Sequence, residues 1–212
     1  MTELDAIRER FPEHVPVFPL PGTVLFPGAI LPLHVFEPRY RSMVEDALAG
    51  PRLIAMGLLA QCTQEEYKDH PPFHDTVCVG TLIQHESMSD GRSNILLLGV
   101  AAAQAKPVDL GKPYQTATIE ALPDLQDLGP EEDDLMERAF AYAAPGSDSV
   151  DSLRRDLGGL MEPHNVGSGV VSACAITAAI PPLSKLALLE ERSVRRRLEQ
   201  LVTYLERPWQ WN

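Results

Sequence analysis

Proline dictates what the first long apolar stretch of this chain can become. Six prolines fall at 16, 19, 21, 27, 32 and 38, set among Val, Leu, Phe and Ile. Each lacks a backbone N–H and cannot donate to a β ladder. The stretch therefore reads as short, interrupted edge strands that wrap a core. Pro21-Gly22 and Pro27-Gly28 mark turns. Beyond Pro38 the period changes. Tyr40, Met43, Val44, Ala47 and Leu48 recur at i, i+3, i+4, i+7 and i+8, which is one face of a helix. Pro38 suits its first position and Gly50 its stop.

Further along, Leu53 to Leu59 is a continuous apolar run that predicts a buried strand. Residues 61–75 carry charge, two histidines and Pro71-Pro72, and read as a surface loop. Thr76 to His85 and Asn94 to Val100 return to strand, with a bulge expected at Gly80 and a hairpin turn at Asp90-Gly91. From Tyr114 to Ala121 the pattern alternates, with Ala117, Ile119 and Ala121 sharing one face. Short strands in this number, with one early helix, predict a small, partly open β-barrel.

Composition shifts after Pro123: from there to Glu137 lie seven acids and no base. Pro130 followed by Glu131, Glu132, Asp133 and Asp134 is a helix start that puts carboxylates on the positive dipole end. Helical spacing then continues through Leu153, Leu157 and Leu160, through Val170 to Ile180, and through Leu183 to Leu189. Gly167-Ser168-Gly169 reads as a flexible linker ahead of the second of these. Ser193 is placed to cap a last helix with Val194, Leu198, Leu201, Val202 and Leu205 on its apolar face. The fold class is α+β, with a β-rich lobe over 12–122 and a helical lobe over 128–207.

A net charge of -12 over 212 residues argues against a chain that wraps phosphate backbones, so no nucleic-acid partner is expected. Cys62, Cys78 and Cys174 cannot all pair and lack CxxC spacing, which fits free thiols in a reducing cytoplasm. Met1 to His14 is charged throughout, unlike a signal peptide, and no apolar run is long enough to span a membrane.

Several of these residues together carry a family resemblance. Pro19-Leu20, the Phe26-Pro27-Gly28 turn, Pro32-Leu33 followed by Val35, and Glu37-Pro38-Arg39-Tyr40 leading into a helix that ends near Ala47-Leu48 resemble the opening of the Lon N-terminal domain. That is the substrate-recognition domain at the front of ATP-dependent Lon proteases. Gly80-Thr81, Asp90-Gly91-Arg92, Gly99 and Pro113-Tyr114 extend the likeness through the β-lobe, and Ile176 through Pro181-Pro182, Leu188-Leu189-Glu190 and Arg197-Leu198 continue it as pattern. The chain departs from the family at Val100-Ala-Ala-Ala103, where arginine or another polar residue ahead of an aromatic is common. The resemblance implies a PUA-like pseudobarrel lobe followed by a helical bundle. It also implies a stand-alone bacterial member without the ATPase and peptidase domains. Substrate recognition in the family involves the neighbourhood matched by Phe36, Glu37, Arg39 and Tyr40.

Catalytic and metal-binding arrangements fare poorly. No GxxxxGK[ST] run is present. Ser184 and Lys185 are adjacent, so on a helix they point apart, toward a solvent-side helix start. Gly167-Ser168-Gly169 lacks the GxSxG frame of a nucleophile turn. Cys62, His70, His74 and Cys78 are the one metal-like cluster, and their spacing is loose for zinc. Glu131 to Asp134 are better explained as a solvated helix start than as an acid/base pair, and Arg195-Arg196-Arg197 as a solvated face. His34 reads as a core or rim histidine, or as part of a binding surface. Phe18, Phe26 and Phe36 are the aromatics available for contacts along the proline-rich segment. The expected function is non-catalytic, without cofactor or metal: a module that binds unfolded or degron-bearing polypeptides, or a separate protease, by apolar burial and strand pairing. The alternatives are an RNA-binding PUA-like module and a remnant peptidase or hydrolase.

Overall fold

The computed structural model describes residues 11–68, 70–143, 150–151 and 166–206. Leu153, Leu157, Leu160 and the tail from Trp209 to Trp211 lie outside the described residues. The elements are β1 (Val15–Leu20), β2 (Ile30–Val35), α1 (Pro38–Ala49), β3 (Leu53–Leu59), α2 (Gln64–Lys68), β4 (Phe73–Ser87), β5 (Ser93–Pro107) and β6 (Gln115–Ala121). A 3-10 turn (Pro130–Glu132) and α3 (Asp133–Ala143), α4 (Val166–Thr177), α5 (Pro182–Glu190) and α6 (Val194–Glu206) follow. The α+β class expected from the sequence holds.

The six strands run in the order β2-β5-β4-β3-β1-β6, and β5 also pairs with β6. β5 is long enough to serve two neighbours along one edge: Ser93 to Leu98 pair with β2, and Ala103 to Pro107 with β6. The second pairing closes β5, β4, β3, β1 and β6 into a ring and leaves β2 outside it. β1 runs parallel to β3, and the remaining pairs are antiparallel.

One expectation is overturned here, because β1 is flanked on both sides instead of lying at an edge. Its prolines survive because neither neighbour covers its whole length. β6 pairs with Val15 to Val17, and β3 with Val17 to Leu20. Pro16 thus has no β3 residue beside it and Pro19 no β6 residue, so each has an open flank for its missing donor. The edge role belongs to β2. The segment 61–75 also holds more structure than a loop, since α2 and the start of β4 fall in it.

The ring has a narrow interior built from Val15, Val17, Leu53, Ala55, Val77, Val79, Ala103, Ala105 and Ala117. Outside it, Phe18, Phe26, Met56, Cys78, Leu97 and Ala102 share a second core with Met43 of α1 and with Leu188, Leu198 and Leu201 of the C-terminal helices. The middle of β5 is buried on both faces, which is why Val100 to Ala103 is a run of small residues. α1 forms as its period predicts: Tyr40, Met43, Val44 and Ala47 are buried, Pro38 opens it, and the Gly50 N–H closes it on the Ala47 carbonyl. A bulge falls between Val79 and Gly80, and the Ser193 hydroxyl accepts from the Arg196 N–H at 3.1 Å to cap α6.

The helical half brings two corrections. Gly167, Ser168 and Gly169 are not a linker but lie inside the first turns of α4. Small residues there allow close packing: a Cβ on Gly167 would stand 3.1 Å from Leu128. The buried Ser168 hydroxyl donates to the Asp124 carboxylate. Arg197, expected on a solvated face, is 1% exposed. Its guanidinium reaches Asp124 through Nη2 at 2.5 Å and Nη1 at 3.2 Å, the Leu188 carbonyl at 2.9 Å and the Glu191 carbonyl at 2.6 Å. One cation thereby joins the segment after β6 to α5 and α6.

Candidate functional site

The site begins at a turn. Pro27 and Gly28 occupy its centre, the Ala29 N–H returns to the Phe26 carbonyl at 3.1 Å, and Gly28 has φ 82°. Proline followed by a left-handed glycine is the type II arrangement, which a side chain at the second position would strain. Gly28 and Ala29 both face Gly99: the Gly28 N–H donates to its carbonyl and its N–H donates to Ala29, each at 2.8 Å. This is a bulge with glycine first. Gly99 is confined too, since a Cβ would come within 2.1 Å of the Phe26 carbonyl oxygen. Turn and bulge together fix the register in which β2 leaves.

From there the faces of β2 alternate. Val35 is buried and Leu31 and Leu33 lean on the core, while Ile30, Pro32 and His34 point outward. Across the strand pair, Ile30 stands opposite Leu98, Pro32 opposite Leu96 and His34 opposite Asn94. Ile30 is 52% exposed, and Leu96 and Leu98 are half-buried. Phe36, just past the strand, is 59% exposed, and its ring stacks on His34 at 6.2 Å. His34 Nδ1 is 2.8 Å from Asn94 Oδ1. A 290 Å³ hollow lies along this face, lined by Pro32, His34, Gln84, Asn94 and Leu96 among others. The outer edge of β2 has no strand partner among the described residues.

The junction after Phe36 is a locked structure. Arg39 Nε and Nη2 reach Glu37 at 3.1 and 2.9 Å, and Nη1 donates to the Tyr67 carbonyl at 2.7 Å and the Lys68 carbonyl at 3.3 Å. The guanidinium lies over the Tyr40 ring at 4.5 Å and the Tyr67 ring at 5.0 Å. Tyr67 donates its hydroxyl to Glu37 at 3.3 Å. Arg39 therefore pins α2 onto the start of α1. Tyr40 is 2% exposed and packs on Phe18 at 4.3 Å, and burial pushes its phenol pKa up.

Of the four residues singled out in the sequence, Phe36 is thus exposed, Glu37 and Arg39 are half-buried in an ion pair, and Tyr40 offers no surface to a partner. Phe18 and Phe26 are core residues. Sequence reasoning missed Ile30, Leu96 and Leu98. Their signal was the alternation of Pro32 and His34 with Leu31, Leu33 and Val35, which separates two faces of a strand.

The remaining candidates have structural roles. Lys185 is not solvent-side: its Nζ donates to the Ile176 carbonyl at 2.6 Å, closing the end of α4, and burial lowers its pKa. Glu132 is buried and accepts from the Gly129 N–H at 2.6 Å, while Arg195 pairs with Glu131 at 2.6 Å and with Glu132. Among the described residues no group of His, Cys, Asp and Glu is arranged to hold a metal. No described helix is long and apolar enough to cross a membrane.

The family model for the ATP-dependent protease La (LON) substrate-binding domain matches residues 14–207. A Lon protease from Desulfovibrio desulfuricans is 31% identical over 154 residues, which is 71% of this chain and 17% of that protein. Lon protease 2 from Syntrophobacter fumaroxidans is 25% identical over 204 residues, 94% of this chain and 25% of that protein. The chain spans a quarter or less of the length of these relatives. Among solved structures, a Lon N-terminal domain protein from Xanthomonas campestris has a TM-score of 0.65 at 23% identity, covering 90% of this chain and 98% of that one. The N-terminal domain of Mycobacterium avium complex Lon protease has a TM-score of 0.60 at 16% identity, covering 91% and 97%.

Proposed function

We propose, starting from the fact that this chain belongs to the ATP-dependent protease La (LON) substrate-binding domain family, that it is a non-catalytic module that binds polypeptides. Its targets are unfolded or degron-bearing chains, held for a protease. The observation that carries this reading is the outward face of β2 and β5. Ile30, Phe36, Leu96 and Leu98 expose apolar surface beside a strand edge that has no strand neighbour among the described residues. An extended chain gains there from apolar burial and from backbone pairing at once, a combination a folded globule does not present.

Phe36 and Glu37 form the near end of the surface, and Arg39 and Tyr40 support it from beneath. Two of the residues that would suggest catalysis have structural partners: Ser168 donates to Asp124, and Lys185 closes the end of α4. A reducing cytoplasm suits the module, whose Cys62, Cys78 and Cys174 form no disulfide.

The test compares a permanently unfolded protein, reduced and carboxymethylated, with its native form as ligands in fluorescence anisotropy. Selective binding of the unfolded form is expected. The double substitution Ile30→Ser and Phe36→Ser should weaken it about tenfold or more, as expected for two partly buried apolar side chains, with the circular dichroism spectrum unchanged. Absence of binding to either form well above micromolar concentration would remove the reading. Cleavage of the unfolded protein, surviving removal of contaminating proteases, would overturn the non-catalytic part of it.

A further inference from the structure

The outer edge of β2, which has no strand partner among the described residues, has a defined hydrogen-bonding pattern. The Gly99 N–H donates to Ala29, so 29 and 99 form a hydrogen-bonded pair. The register continues without a slip through Ile30 opposite Leu98 to Val35 opposite Ser93. In an antiparallel ladder such pairs alternate. Residues 31, 33 and 35 therefore turn their backbone groups toward β5, and residues 30, 32 and 34 turn theirs to the open side. Pro32 fits this assignment independently, because its missing N–H falls where β5 needs no donor. The open side consequently offers carbonyls at Ile30, Pro32 and His34, but N–H donors at Ile30 and His34 alone.

We propose that this edge binds an extended polypeptide segment as an added strand, in a ladder with a fixed gap at Pro32. The proposal rests on the function given above and specifies how the ligand is held. Three alternate amides of the ligand donate to the carbonyls of Ile30, Pro32 and His34. Two of its carbonyls accept from Ile30 and His34, and the carbonyl that meets Pro32 stays unpaired. This count is the same whether the ligand runs parallel or antiparallel to β2. Ligand side chains on one face lie beside Ile30, Pro32, His34 and Phe36, and those on the other lie beside the half-buried Leu31 and Leu33. The ligand class is therefore a short segment, apolar on both faces and free of proline at the three donating positions. The gap has a second effect: an edge with a missing donor is a poor template for another copy of itself, which suits a strand that must stay available to ligands.

The test uses a peptide with five central apolar residues, lysines on either side and blocked termini, in a set where each central amide is N-methylated in turn. The whole protein is titrated. Methylation should weaken binding at alternate positions, about three- to tenfold each for one lost hydrogen bond, and leave the positions between unaffected. Pro32→Val restores a donor and should tighten binding of the unmethylated peptide about threefold or more. Pro32→Val is exposed and away from the core, so folding is retained, which circular dichroism checks. A flat methylation profile, or weaker binding by Pro32→Val, overturns the interrupted ladder while leaving polypeptide binding intact. Failure of both the peptide and the unfolded protein to bind overturns the function and this inference together.

Discussion

Replacing either member of the Arg197–Asp124 pair should cost the protein a large part of its stability. The pair is closed off from water: the Arg197 side chain is 1% exposed and that of Asp124 12%. Removing one partner from a buried ion pair leaves the other charge uncompensated, at a cost of about 3–5 kcal/mol. Asp124→Ala also strips the acceptor from the Ser168 hydroxyl, and Arg197→Met leaves the Leu188 and Glu191 carbonyls without this donor. Both single variants should fall in that range, which for a domain of this size lowers the melting temperature by roughly 6–20 °C. The double variant Asp124→Leu, Arg197→Met removes both charges and should lose less than the sum of the singles. Urea unfolding followed by circular dichroism, on all four proteins, measures the cycle. If each single variant costs less than about 1 kcal/mol, or the double loses the full sum, the guanidinium is not the tie that joins the segment after β6 to α5 and α6.

Three other consequences are open to measurement. Arg39→Ala should release α2, with a loss of about 1–3 kcal/mol for its charged hydrogen bonds, and hydrogen exchange should show faster amides over Gln64 to Lys68. The Lys112 ammonium and the Tyr114 hydroxyl, which reach Asp46 at 2.8 and 2.5 Å, hold its carboxyl below the usual carboxylate range. Because the folded value is depressed, this stabilisation is present at neutral pH and is lost as pH falls below about 4, through the folded value. Asp46→Asn should therefore flatten the acid limb of the stability profile without steepening it. Burial pushes the Cys174 thiol up to about 12, so at pH 7.5 iodoacetamide should leave it intact while the part-exposed Cys62 is alkylated; early labelling at Cys174 would contradict its packing.

What the sequence made legible was whatever local chemistry settles alone. α1 announced itself through its period between Pro38 and Gly50, and the β4–β5 hairpin through Asp90-Gly91. Local rules failed where the outcome depended on which neighbour arrives. Proline in β1 suggested an edge, but a strand covered by β3 along one part and by β6 along another has room for Pro16 and Pro19. Alanines 101 to 103 carried no strand signal, since a strand buried on both faces in a tight ring shows no alternation. Gly167-Ser168-Gly169 had the composition of a linker because close packing on Leu128 selects the same small residues. Arg197 was hidden among three arginines, and only the fold reveals that the third one turns inward. At the candidate site, Tyr40 was already on the apolar face of α1, and that spacing was a better guide to its fate than its position beside Arg39.

The core that Phe26, Met56 and Leu97 share with Leu188, Leu198 and Leu201 has a consequence for how such a module travels between chains. A cut between β6 and the helices would wet both new surfaces at once, so neither piece is a currency of exchange. A fragment that ends at this seam should therefore fold poorly, because each half of the shared core is left facing water. Val35 of the edge strand and Leu198 of the last helix, far apart in sequence, thus stand or fall with the same core.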